Sequence, residues 1–452
     1  MTVRHLRNQN INVARKEPKI NFDAQQHRKL AIQPDEALNM SNQQQIHNVA
    51  FEEACGFIIK LGKDAHSYGS TTGNLEKSLS SITQSFGFHG SFQITPGEII
   101  FAFQEDESHP QRIHLTNLPF CGLDLDKLAK VGDLMDAVIG GSISLTEANN
   151  QLDEIRKDPL PWGQFANALS YIACGSGIAI LFSGSWWDTF FAGFFSLVVY
   201  MMIIVSGRFG QRAAEWLPLY TAFVAAALTA ITKHFIPEIN LVLVVVSAII
   251  ILLPGYGISL GVAQLVSQQT VSGGANLMNG LVYLAKQFCG AWLGATLIIS
   301  LLPVTSAAAG TPVSSNWLWL FMPLIIASLC IAFQTSNRDF FWAALGCAIA
   351  YGGILLGGAV LDGNLGNLFG TIVAVVYANL WTRKTSRPIS IVLLPAIVLL
   401  VSGSIGFRGL AAMASGQVAI GEQQFMQMFI VALTIAAGLL IGNTIVKPQA
   451  SL

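Results

Sequence analysis

The stretch Leu252-Leu253-Pro254-Gly255-Tyr256-Gly257-Ile258-Ser259 follows the apolar run INLVLVVVSAII, residues 239–250. Together they have the length of a membrane span, which takes about 20 mostly apolar residues. A proline and two glycines stand where such a helix is expected to be regular. Pro254 has no N–H, so the carbonyl of Ile250 is expected to lose its helical partner. Gly255 and Gly257 let the backbone turn further. In lipid, freed backbone groups are tolerated only when buried in protein or lining a wet cavity, where they can hold a polar solute. A packing kink is the plainer reading, since proline and glycine are ordinary in membrane helices. A similar signal recurs, however, at Leu393-Leu394-Pro395, followed by Ser402-Gly403-Ser404. Pro395 is expected to free the carbonyl of Ile391.

Outward from that stretch, the chain divides by charge. Of its 452 residues 52% are hydrophobic and 11% charged, with a mean hydropathy of +0.53. Residues 1–164 hold 15 of the 25 basic and 20 of the 26 acidic residues, leaving ten and six for the other 288. This is the pattern of a polar domain fused to a large membrane domain. A net charge of −1 gives no argument for nucleic acid. The polar start MTVRHLRNQNINVARKEPKI lacks the apolar core of a cleaved signal. The six cysteines show no metal or redox spacing, and four of them (Cys174, Cys289, Cys330, Cys347) lie in apolar runs as small packing residues.

Ten candidate spans follow: 165–183, 187–206, 215–234, 239–258, 280–302, 316–334, 339–360, 364–381, 389–407 and 423–445. With the polar domain in the cytoplasm, the loops on that side hold Arg208, Arg212, Arg338, Arg383, Lys384 and Arg387, with Lys447 near the end. The outer side holds Lys233 and Arg408. This bias places both termini inside.

The second half resembles a faint copy of the first. AILFSGSWWDTFFAG around Asp188 matches IAFQTSNRDFFWAAL around Asp339, and LLPGYGISLG matches LLPAIVLLVSGS, in the same order along the chain. Two five-span repeats imply that the second enters the membrane inverted. Inverted repeats with interrupted helices are a transporter pattern, with the substrate near the midplane. The substrate-path candidates are Pro254, Gly255, Gly257, Ser259, Lys286, Pro395, Ser402 and Ser404. Lys286 is charged inside a span, although near its end lysine can reach the interface. Asp188 and Asp339 open their spans, where a carboxylate caps free N–H groups. With Asp362 they are also the proton-coupling candidates. The polar segment SLGVAQLVSQQTVSGGANLMNG, residues 259–280, reads as a re-entrant helix or a loop.

The polar part reads as a disordered tail over 1–45 and an α+β domain over 46–160. Two helices, at 46–66 and 72–86, precede a hairpin turning at Pro96-Gly97. A strand, QRIHLT, comes next, and helices at 124–138 and 144–157 close the domain. The last opens with the capping box Ser144-Leu145-Thr146-Glu147. The first membrane repeat is placed at 161–303 and the second at 304–452. A membrane-anchored hydrolase is the competing class, with His66, His109 and His114 in reach of Ser and Asp residues. There is no G-x-S-x-G, phosphate loop or spaced metal set, so no catalytic residue, metal or cofactor is assigned.

In this order the runs FIIKLGKDAHSYGSTTGNLEKSLSSITQSFGF, FQITPGEIIFAF and LDLDKLAKVGDLMDAVIGGSISLTEANNQLDEI, with LLPG and VSGGANL later, resemble the threonine/serine exporter family. The resemblance covers about residues 50–446. It implies a cytoplasmic α+β domain and two five-span halves, separate chains in some bacteria. It also implies proton-driven export of threonine and serine across the inner (plasma) membrane. Its partners would be a small-molecule substrate, protons and the lipid bilayer, with a homo-oligomer left open. Some split relatives are associated with dicarboxylate export, so a succinate-like substrate is the alternative. Where relatives often carry a charge after LLPG, this chain has Gln264, Gln268 and Gln269.

Overall fold

The computed structural model describes residues 34–448, apart from 107, 119–122, 304–309, 361–364 and 401–402. Two compact units form, Met1–Glu53 and Ala54–Leu452. The first helix, α1 (Pro34–Ser67), begins well before the expected 46. The tail expected over 1–45 is therefore helical from 34; residues 1–33 lie outside the described residues.

The polar part continues with α2 (Thr72–Ser85), β1 (His89–Ile94), β2 (Glu98–Gln104), β3 (Arg112–Asn117), α3 (Leu125–Ile139) and α4 (Leu145–Lys157). The strands form an antiparallel sheet in the order β1-β2-β3. Ile94 pairs with Ile99 across the Pro96-Gly97 turn, as the alternation required. One face of the sheet buries Phe92, Phe101 and Phe103, whose rings lie about 6 Å apart, against α1 and α2. At the start of α4, Ser144 accepts from the Glu147 N–H.

The apolar part comprises α5 (Gly163–Leu181), α6 (Trp186–Ser206), α7 (Gln211–Phe235), α8 (Leu241–Ala248), α9 (Gly255–Val266) and α10 (Thr270–Leu301). It continues through α11 (Leu318–Ala332), α12 (Phe340–Val360), α13 (Gly366–Thr385), α14 (Ser390–Leu399), α15 (Gly403–Ala414) and α16 (Val418–Ile445). Among the described residues eight helical stretches are long and apolar enough to cross a membrane. The α8–α9 pair, bent by 62°, makes a ninth. The expected tenth, 364–381, falls on α13, whose Asn367, Thr371 and Asn379 dilute its apolar content. The Asn379 Nδ2 group donates within the protein, to Asn443 Oδ1 and to the Val446 carbonyl, while its Oδ1 is buried without a partner. The fifth expected span, 280–302, starts earlier, because α10 takes in the polar residues from Thr270 onward.

Matching geometry recurs along the chain. After α5, Phe182, Ser183 and Gly184 donate to Ile178, Ile180 and Ala179. After α11, Phe333, Gln334 and Thr335 donate to Leu329, Ile331 and Cys330, in the register that aligns Asp188 with Asp339. Ser183 and Gln334 both take positive φ, 59° and 56°. A second matched pair of turns follows later in each half. The α9–α10 turn is closed by Ser267, Gln268 and Gln269, and the α15–α16 turn by Ser415, Gly416 and Gln417, through the same three bonds. Gly261 approaches the Leu277 backbone as Gly409 approaches that of Phe425. Gly290 and Gly294 let α10 pack on α7, and Gly438 and Gly442 let α16 pack on α13.

Candidate functional site

The site begins at the two helix interruptions. α8 ends at Ala248, a tight turn follows over Ile250–Leu252, and Leu253 is extended (φ −66°, ψ 130°) before Pro254 opens α9. The Ile250 carbonyl, expected to be free, accepts the Leu253 N–H at 3.1 Å. The tight turn bonds at i+3, where a helix would need the missing proline N–H. The carbonyl that loses its helical partner and takes another is that of Leu252, which accepts Gln287 Nε2 at 3.1 Å. Gln287 is 0% exposed and its Oε1 has no partner. It went unremarked beside Lys286, although a glutamine inside an apolar run was the available signal.

The second interruption departs from its expected place. Pro395 lies inside α14, which ends at Leu399, and α15 is described from Gly403, with 401 and 402 outside the described residues. Gly403, not a residue near Pro395, therefore corresponds to Gly255. The two glycines touch: a methyl group built on Gly403 would stand 3.0 Å from Gly255 N and 3.1 Å from its Cα. At this contact α9 presents its N-terminus, with the unsatisfied N–H groups of its first turn and the positive end of its dipole. Beside them Ser259 is 0% exposed, and its Oγ has no partner. Ser404 is buried next to Gly403. A Cβ on Gly257 would meet nothing within 4 Å, so open space adjoins the start of α9. The arrangement is dipolar, without a fixed charge, and suits a carboxylate lying against N–H groups.

The other sequence candidates lie elsewhere. Lys286 Nζ donates to the Glu215 carbonyl at 3.2 Å and lies 5.9 Å from the centre of the Trp216 ring. Asp188 completes a capping box with Ser185, and its other oxygen accepts from Asn240 N at 2.8 Å. Asp339 bonds Ser336 in the corresponding way and pairs with Arg387, whose Nη2 also reaches Asp133 at 3.0 Å. Asp362 and Ser402 lie outside the described residues. His66 bonds the Pro96 carbonyl at 3.3 Å and holds the hairpin turn. Burial pushes its pKa down. Among the described residues no cluster of His, Cys, Asp or Glu could hold a metal.

The sheet-bearing part bonds the α9–α10 hairpin and the end of α11. Gln264 Nε2 on α9 donates to Thr72 Oγ1, and its Oε1 accepts Asn276 Nδ2, both at 2.7 Å. Ser272 Oγ donates to the Ile94 carbonyl. The first two N–H groups of α3, from Leu125 and Asp126, donate to the Phe333 and Gln334 carbonyls. No residue of the sequence announced these contacts.

Broken and unbroken apolar helices packed in this way define a polytopic α-helical membrane protein. A family model described as a putative threonine/serine exporter matches residues 56–298, and a second, described as threonine/serine exporter, matches 318–445. The chain belongs to the threonine/serine exporter family. Similar proteins include an uncharacterized protein of Schizosaccharomyces pombe, 24% identical over 78% of this chain and 48% of that protein. Pheromone-regulated membrane protein 10 of Debaryomyces hansenii is 24% identical over 86% of this chain and 40% of its own length. The protein of the same name from Yarrowia lipolytica is 23% identical over 81% and 31%. The chain thus spans less than half the length of these relatives. No solved structure matches it.

Proposed function

We propose that the chain is a secondary active exporter of threonine and serine, driven by the proton gradient of the plasma membrane. The observation that carries this reading is the meeting of Gly255 and Gly403, which brings the N-terminus of α9 and the unpartnered Ser259 hydroxyl to one place. The N–H groups suit the substrate carboxylate, the Gln287 Oε1 the ammonium, and Ser259 the substrate hydroxyl. The path runs between two five-helix repeats, α5–α10 and α11–α16, inserted in opposite senses, with α8–α9 and α14–α15 each counted as one crossing. The two pairs of turns that recur with the same bonds support this. So does polarity: the α5–α6 turn lies at the end of the bundle away from the sheet, and the corresponding α11–α12 turn lies against α3. Both ends of the membrane region, and the α+β segment 46–160, lie on the cytoplasmic side, where that segment closes the path. Efflux from proteoliposomes preloaded with threonine, serine or succinate, with and without an imposed pH gradient, tests the assignment. Uphill, saturable, gradient-dependent efflux of the hydroxy amino acids is the expected result. Export of succinate alone selects a dicarboxylate exporter instead.

A further inference from the structure

The α9–α10 and α15–α16 hairpins are built alike, but what lies against them differs. On the sheet side, Gln264 of α9 bonds Thr72, and Asn276 bonds Gln264. On the far side no described segment fills the corresponding cleft. It is a cavity of about 510 Å³, whose lining includes Phe182, Asn240, Arg408, Ser415 and Gln424. Gln424 follows Gln417, which closes its hairpin turn, by as many residues as Asn276 follows Gln269, and its Oε1 is buried without a partner. Among the described residues Arg408 is the only cation lining the cavity. Its Nε bonds the Ser404 carbonyl at 3.4 Å, and its guanidinium lies 4.7 Å from the centre of the Phe182 ring. Among the described residues no carboxylate pairs with it, and its two terminal nitrogens have no hydrogen-bond partner. Asp188, which bonds the backbone of the lining residue Asn240, is taken up by Ser185 and that Asn240 N–H.

We infer that Arg408 and Gln424 form a second substrate station, where Arg408 binds the carboxylate of a small amino acid and Gln424 Oε1 accepts from its ammonium. Resting on the export reading above, it is the stage from which substrate leaves on the side away from the sheet. A guanidinium offers a planar pair of N–H donors to a carboxylate. One of its faces is held by Phe182, which fixes the direction in which those donors point. The station is one helical turn from the contact of Gly255 with Gly403, since Arg408 bonds the carbonyl of Ser404, the neighbour of Gly403. A carboxylate leaving the α9 N-terminus therefore meets Arg408 next.

The test uses purified full-length protein and follows its melting temperature against concentration of threonine, succinate and threoninol, which keeps the ammonium and hydroxyl but has no carboxylate. Wild type is expected to be stabilised by threonine far more than by threoninol. In Arg408→Gln the threonine affinity of this station falls by about ten- to a hundredfold, while the ligand-free melting temperature stays close to wild type. Arg408→Lys recovers part of the loss, because the charge returns without the planar donor pair. Threonine bound equally well by wild type and Arg408→Gln overturns the station. So does a wild type that no carboxylate stabilises. Stabilisation by succinate but not by threonine, lost in Arg408→Gln, leaves the carboxylate station standing and overturns the amino-acid reading.

Discussion

Two residues at the crossed interruptions separate packing from transport. Alanine at Gly403 would press a methyl group against Gly255 N at 3.0 Å. Overpacking of this kind costs about 1–3 kcal/mol, so Gly403→Ala is expected to lower both the melting temperature and efflux. Ser259→Ala should do the opposite for stability. Its hydroxyl is buried without a partner, an arrangement that costs about 1–3 kcal/mol. Its removal is expected to leave the melting temperature unchanged or raised while apparent threonine affinity falls by roughly tenfold, the equivalent of one lost hydrogen bond of about 1.4 kcal/mol. Unchanged affinity in Ser259→Ala removes this side chain from the path. His66 gives a pH dependence with a definite sign. Burial lowers its folded pKa below the ordinary 6.5, so the folded state resists the proton that the unfolded state accepts. Its share of stability is complete above about pH 6.5 and is lost as pH falls below it. Amide exchange in the β1–β2 hairpin should accelerate below that pH, and His66→Gln should flatten the dependence. The bonding roles of Ser259, Gln287 and His66 were not readable from sequence, because an unpartnered or buried group is defined by neighbours far along the chain.

At the scale of elements, the interrupted helices and the docking of α3 carry the argument. Replacing Pro254 and Gly255 together with alanine restores an N–H and removes a flexible joint. The α8–α9 pair is expected to straighten from its 62° bend. Losing the N–H groups that face a charged ligand costs about 1.5–3 kcal/mol, so threonine affinity should fall ten- to a hundredfold with expression intact. Wild-type transport by this variant would make the bend a packing kink. The α3 contact gives a graded comparison. Arg387→Ala leaves Asp339, 2% exposed, as a buried carboxylate without its counter-ion, a loss of about 3–5 kcal/mol. Asp133→Asn touches the half-exposed member of the trio and should cost about 0–1 kcal/mol. Thermal unfolding of the two variants checks the order. Element boundaries were legible where local chemistry set them. Asp188 and Asp339 sit in the first turns of their helices as expected, bonded to Ser185 and Ser336, and of the expected Ser144–Glu147 capping box the bond from the Glu147 N–H to Ser144 forms. The sequence marks the second interruption at Pro395, but that proline is accommodated within α14, and it is Gly403 that meets Gly255.

For the whole molecule, both ends of the membrane region are expected on the cytoplasmic side. Single cysteines placed after Lys157 and after Lys447, in a background without the native cysteines, should resist a membrane-impermeant thiol reagent in intact cells and react after lysis. Labelling of either position in intact cells reverses the topology and the inverted-repeat reading with it. The sequence by itself determined that this is a polytopic helical membrane protein with a polar, sheet-bearing segment ahead of it. Apolar run length and the clustering of charge before residue 164 are local properties, and desolvation in lipid acts on them directly. The family resemblance likewise rests on consecutive residues. Only the tertiary structure decided that Gly255 meets Gly403, that Gln287 takes the Leu252 carbonyl and that Thr72 seals one hairpin while Arg408 stands open by the other. Those pairings join residues far apart in the chain. In a bilayer they are chosen by close packing of small residues and by the need of each buried polar group for a partner, and no local periodicity encodes that choice.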